Sequence, residues 1–195
     1  MRQRPASRGA LGVHLYVIVL FTLLIDQRIL ARMTLFFREL APNDAAEIVE
    51  VSRASFEHFV ARDWSDNAND EYRGLLVTQS LAGKITGCAY SVAAVEQQRI
   101  VGFLLMPRAN LIQMFFVLPA LVRNGIGRQL WLHARTSISQ RFPDVATIEV
   151  NASPFAVEFY RALGFVAISR EFQSNGFRAT RMACWLKAHA LGAEL

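Results

Sequence analysis

The chain has 195 residues, 53% of them hydrophobic, and a formal net charge of +5, which is enough apolar material for one domain with a sizeable core and excludes a disordered polyelectrolyte. Most of that charge sits at one end: residues 1–32 carry Arg2, Arg4, Arg8, Arg28 and Arg32 against Asp26, whereas from Met33 onward basic and acidic residues nearly balance. No basic stripe interleaved with aromatics is present, so nucleic acid is not an expected partner.

Residues 11–25 form an apolar run interrupted only by Gly12, His14 and Thr22. As a helix it would be about 22 Å long, short of the roughly 30 Å of a bilayer core. It reads as an extension upstream of a domain that begins near Met33. A marginal membrane anchor and a signal-peptide core are the two other readings, although Asp26, Gln27 and Arg28 stand where a small-residue cleavage site would lie. Without the run the protein is expected in the cytoplasm; with it, inner-membrane association follows.

Residues 33–40 alternate as a first strand. Pro42, Asn43 and Asp44 then open a helix, with Asp44 and Glu47 spaced for a capping box and Ile48, Ser52, Phe56 and Phe59 recurring on its inner face. Residues 61–69 read as a polar loop and 71–80 as a short second helix, with Gly83 and Gly87 breaking the pattern. Residues 88–95 and 100–106 read as paired strands. The run 111–118 is apolar at nearly every position, so a strand covered on both faces is expected. Ile126, Leu130, Ala134 and Ile138 form the buried stripe of the next helix. Residues 145–150 follow as a strand parallel to 111–118, because a helix carries the chain back. Ser153 and Pro154 start another helix and Gly164 ends it in the left-handed conformation. Residues 166–172 and 178–186 form a hairpin around Ser174, Asn175 and Gly176. Cys88 and Cys184 lie far apart without CxxC spacing or a His cluster, so neither a disulfide nor a metal site is expected.

The informative stretch lies between strand 111–118 and its helix. Gly125 and Gly127 let a ligand approach the backbone closely, and the first N–H groups of the helix lack partners at its positive end. An anion fits there, flanked by Arg123 and Arg128. The spacing excludes the Walker loop, since no Lys followed by Ser or Thr follows the glycines. It also excludes the dinucleotide fingerprint, whose third Gly would fall on Leu130.

Val117, Pro119, Gly125, Ile126 and Gly127 resemble the pyrophosphate loop of the GNAT N-acetyltransferase superfamily, written Gln/Arg-x-x-Gly-x-Gly/Ala after a strand ending Val-x-Pro. One position departs: the family's Gln or Arg falls on Val122. Residues 151–165, Asn-Ala-Ser-Pro-Phe-Ala-Val-Glu-Phe-Tyr-Arg-Ala-Leu-Gly-Phe, resemble a second family segment, in the wording of a bacterial branch, through Phe159, Tyr160, Gly164 and Phe165. The resemblance covers about residues 33–187 and leaves 188–195 as a tail. It implies an α+β fold with a mixed, mostly antiparallel central sheet flanked by helices on both faces. It also implies direct transfer of an acetyl group from acetyl-CoA, as cosubstrate, to an amine of a small molecule or peptide.

On that pattern the backbone of Val122, Arg123, Asn124, Gly125, Ile126, Gly127 and Arg128 holds the pyrophosphate. Phe116 and Val117 contact the pantetheine arm, and an N–H there steadies the developing oxyanion. Asn151 and Ser153 are further candidate contacts, each with a helix-capping reading beside it. Tyr160 matches the general acid that returns a proton to the departing thiolate. The family's carboxylate near Gln113 or Met114 is missing. Glu149 is therefore the leading candidate base, with His58 and a water chain as alternatives. Asp63, Asp66, Asp70 and Glu71 are candidates for a negative acceptor mouth that Trp64 lines or pins. The competing functions are a non-catalytic acyl-CoA-binding domain and, through residues 11–25, a membrane-tethered interaction protein. A homodimer stays open.

Overall fold

The computed structural model describes residues 35–186. The run 11–25, with its anchor and signal readings, and the tail 188–195 lie outside the described residues. Among the described residues no helix is long and apolar enough to cross a membrane.

Two sheets carry the fold. The first is antiparallel in the order β1 (Phe36–Arg38), β2 (Tyr90–Glu96), β3 (Arg99–Met106) and β5 (Met114–Val117). The second runs β4 (Leu111–Ile112), β6 (Thr147–Ala152), β9 (Phe177–Trp185) and β7 (Val166–Ala167), with β8 (Phe172–Ser174) also paired to β9. Among the described residues only β4 and β6 pair in parallel, with Leu111 opposite Glu149 and Ile112 opposite Val150. The sheets are thus mixed and mostly antiparallel, and the expected parallel pairing is present.

Helices cover both faces of the first sheet. Helix α1 (Ala45–Phe59) puts Ile48 and Val51 into a core with Ala93, Val95, Phe103, Leu105 and Met114. On the opposite face, Gly102 lies against Leu130 of α4 (Ile126–Arg141), whose residues Ile126, Leu130, Trp131, Ala134 and Ile138 are all buried. This is the stripe read from the four-residue spacing. Burying each large apolar side chain contributes about 1.5–3 kcal/mol.

Three local expectations are corrected. The run 111–118 is two strands, divided at the exposed Gln113, with β4 in one sheet and β5 in the other. Residues Phe115 to Leu118 are only half-buried because one side of β5 faces open space rather than a covering layer. Between residues 61 and 87 there is no long polar loop. A 3-10 turn at Ala61–Asp63 leads into α2 (Asp66–Leu75), whose first turn donates the Ala68 N–H to the Ser65 hydroxyl (3.4 Å), and α3 (Thr78–Gly87) runs straight through Gly83. Gly83 has nothing around it that requires a bend.

Nor do Asp44 and Glu47 form a capping box with each other. Asp44 accepts the Ala41 N–H at 2.7 Å and is held by Arg38 at 2.6 and 2.9 Å. The Arg38 guanidinium keeps its carboxyl below the usual carboxylate range. Glu47 instead accepts the Ile100 N–H at 2.8 Å, tying α1 to β3.

The turn between β8 and β9 uses Asn175 and Gly176 at φ 47° and 83°, the left-handed pair that a tight hairpin requires. It docks on the start of α2. Ser65 N–H donates to the Gly176 carbonyl (3.2 Å), and Trp64 Nε1 donates to the Arg178 carbonyl (3.2 Å).

Candidate active site

Beyond Gln113 the two sheets diverge, and a cavity of about 810 Å³ opens between β5 and β6. One part of its wall is backbone. Gly125 caps α4 in the left-handed conformation (φ 80°), with Arg123 also left-handed (φ 71°) just before it. The N–H groups of Gly125, Ile126, Gly127 and Arg128 reach no acceptor among the described residues, as the geometry of a first helical turn dictates. Val122, Arg123, Gly125, Gly127 and Arg128 line the cavity, whereas the Ile126 side chain is buried in the core. The loop therefore offers a set of free donors with two guanidiniums beside them.

The two sequence motifs meet at one contact. A Cβ on Gly127 would stand 3.0 Å from the Phe159 ring, so the bare glycine is what lets α5 (Val157–Ala162) pack against the loop. Gly164 ends α5 at φ 92°, as expected. Tyr160, from the same short helix, lines the cavity with its ring packed among Phe115, Phe159 and Phe165 at centroid separations of 6.2, 5.4 and 5.2 Å. Its hydroxyl has no hydrogen-bond partner among the described residues, and burial raises its pKa above the ordinary tyrosine value. It therefore stays protonated at neutral pH, able to donate a proton and unable to serve as a base.

Strand β5 supplies a third element. The Val117 carbonyl accepts from the Ser55 hydroxyl of α1 (2.9 Å), while Leu118 N–H donates to Val101 in β3. Since the N–H and C=O of one residue point to the same side of an antiparallel strand, the Val117 N–H lies on the edge facing the gap.

The structure separates the other candidates. Asn151 lines the cavity from β6, and Ser153 lines it at the start of a 3-10 turn (Pro154–Ala156), where its side chain makes no capping bond. Neither residue therefore acts as a helix cap. Glu149 does not line the cavity; it pairs in register with Leu111 and has Arg181 Nε at 3.9 Å. His58 is exposed, edge-on to Phe59, and also outside the lining. Asp63, Asp66, Asp70 and Glu71 are absent from it too, and Asp70 pairs with Arg73 at 2.9 Å. The expected acidic mouth is not there. Its place is taken by rings: Trp64, which both lines the wall and pins the hairpin, with Phe56, Tyr72 and Phe177 around it at 4.7–5.5 Å. A second stack, Phe59 on Phe155 at 4.4 Å, joins α1 to the turn after β6. Sequence reading missed Ser55, Tyr72, Phe155, Phe177 and Arg178. The one available signal was the density of aromatics in segments far apart along the chain.

A family profile described as an acetyltransferase (GNAT) domain matches residues 60–186. The chain belongs to the GNAT acetyltransferase family. Solved structures agree in fold. A GCN5-related N-acetyltransferase from Rhodopseudomonas palustris shares 26% identity over 78% of this chain and 96% of its own, with a TM-score of 0.68. The PaiA N-acetyltransferase of Thermoplasma acidophilum, solved in complex with coenzyme A, shares 17% over 78% and 99%, with a TM-score of 0.65. The ribosomal-protein-S18-alanine N-acetyltransferase of Escherichia coli shares 19% over 83% and 99%, at 0.59. No curated protein sequence matches this GNAT chain.

Proposed function

We propose that the protein transfers the acetyl group of acetyl-CoA to a primary amine. One observation carries this reading: a set of unpaired helix-entrance amides opens into the same cavity as a protonated, partnerless Tyr160 hydroxyl. The donor fits on three counts. The amides of Gly125, Ile126, Gly127 and Arg128 suit a diphosphate, Arg123 and Arg128 supply countercharge, and the exposed edge of β5 can pair with an extended amide-bearing arm. Val122, where the family has Gln or Arg, leaves the grip to backbone rather than to a side chain.

Acetyl-CoA would supply a thioester carbonyl to the amine lone pair: the C–N bond forms, the C–S bond breaks, and the sulfur leaves as a thiolate. Val117 N–H is placed to stabilise charge developing on the carbonyl oxygen, a donor worth about 3 kcal/mol in comparable sites. Tyr160 gives its proton to the thiolate and regains one from solvent, while the amine loses its surplus proton to water at the open mouth. No role as base is assigned to Glu149, which lies outside the cavity.

The test uses the full chain. Millimolar acetyl-CoA should raise the melting temperature, and thiol release with an amine panel should be lost in Tyr160→Phe without loss of the thermal shift. No shift with acetyl-CoA overturns the reading. A shift with no turnover of any amine supports the non-catalytic acyl-CoA-binding alternative.

A further inference from the structure

Among the described residues the acceptor side of the cavity has no proton acceptor of the usual kinds. The described lining holds no Asp, His, Cys or Lys, and its single carboxylate, Glu158, is exposed and ion-paired to Arg161. The wall built by α1, α2 and the β8–β9 hairpin is instead aromatic, and its one charged member is a cation, Arg178, held by Glu171 at 2.7 and 3.0 Å. Trp64 stands nearly perpendicular to both Tyr72 (89°) and Phe177 (80°), the edge-to-face arrangement in which flat rings interlock.

These two facts select an acceptor. An alkylamine of the lysine type, with a pKa near 10.4, is neutral in only about one part in a thousand at pH 7.4. It would have to enter an apolar wall beside a guanidinium as a cation, or wait for solvent to deprotonate it. An amine attached directly to an aromatic ring delocalises its lone pair into the ring and is unprotonated at neutral pH. It needs no base before attack, brings no charge into the wall, and presents a flat face to Trp64.

Resting on the acetyltransferase reading, we propose that the acceptor is a weakly basic aromatic amine, a ring-bearing primary amine uncharged at neutral pH. The nitrogen attacks as the free base, and its proton goes to solvent once the C–N bond has formed. Peptide lysines and polyamines would meet no carboxylate or base on this wall to take up their proton, so their transfer would wait on deprotonation by solvent.

The experiment compares p-anisidine, phenethylamine and spermidine as acceptors for the full-length chain with acetyl-CoA, following thiol release between pH 6.5 and 9. The expected kcat/KM for p-anisidine is at least tenfold above that for phenethylamine at pH 7 and flat across the range. For phenethylamine it should climb close to tenfold per pH unit. Trp64→Ala should raise the p-anisidine KM about tenfold while leaving acetyl-CoA affinity, measured by calorimetry, where it was. That calorimetric signal also shows that the variant is folded. Faster turnover of spermidine or phenethylamine than of p-anisidine at pH 7 overturns the proposal. So does acetyl-CoA binding with no turnover of p-anisidine. Absence of acetyl-CoA binding by the unmodified chain is the separate result that removes the acetyltransferase reading itself.

Discussion

The two halves of the cavity are made of different materials. The half proposed for the donor is backbone: one continuous stretch, 121–128, in which the N–H groups of Gly125, Ile126, Gly127 and Arg128 reach no acceptor among the described residues because the geometry of a helix entrance leaves them so. The acceptor half is side chain: rings from α1, from the turn before α2, from α2 and from the β8–β9 hairpin, brought together only by the complete fold. A wall of backbone can keep a ligand while its side chains vary. A wall of side chains changes its ligand with each substitution. On the proposed function, acceptor specificity belongs to α1, α2 and the hairpin, and donor binding belongs to the loop.

That division can be broken in a graded way. Tyr160→Phe, at the junction of the halves, should lower kcat by about 10²- to 10³-fold, the usual worth of a general acid. Acetyl-CoA affinity should stay unchanged in calorimetry, and an equal fall in affinity would mean that Tyr160 belongs to the donor wall instead. Gly127→Val should weaken acetyl-CoA by about 30- to 100-fold, because its side chain would meet the Phe159 ring and lift α5 from the loop. The acceptor KM should barely move.

Gly176→Ala should do the reverse. A Cβ there would sit 2.0 Å from the Ser65 hydroxyl and 3.1 Å from the Ala68 Cβ at φ 83°, so Ser65 must turn away from the Ala68 N–H and the hairpin must shift against α2. A cost of about 1–3 kcal/mol in thermal or denaturant unfolding is expected for such strain, together with a higher acceptor KM and an unaltered acetyl-CoA constant. The smallest effect concerns pH. Burial raises the hydroxyl pKa of both Tyr72 and Tyr160, so the folded chain keeps protons that the unfolded chain releases near pH 10. Stability should be flat below that value and fall as pH rises through and above it. Tyr72→Phe should soften this alkaline decline in denaturant titrations.

Legibility from sequence follows the same line. The buried stripe of α4, the left-handed Gly164 and the free amides at Gly125 and Gly127 are local matters of spacing and backbone geometry, and all could be read before folding. The break at Gln113 could not, because a single polar residue in an otherwise apolar run does not say that a strand changes partners there. The helix starting at Asp66 was hidden by its polar surface: only Ala68 and Asn69 are buried in it. Glu149 and the acidic residues 63–71 were reasonable choices by charge alone, yet only tertiary packing decides which side chains share a space. Ser55 was invisible for a simpler reason. A hydroxyl in mid-helix has no signature that it will bind the carbonyl of a strand 62 residues away.

The single residue at which β4 becomes β5 has a further consequence. Because the chain passes from one hydrogen-bonded fabric to another at Gln113, the opening is a seam between two cloths rather than a hole worn through one, and neither sheet gives up pairing to make room for it. Deleting Gln113 would shift Met114–Val117 by one step against β3, reverse which of its side chains look inward, and draw the seam shut.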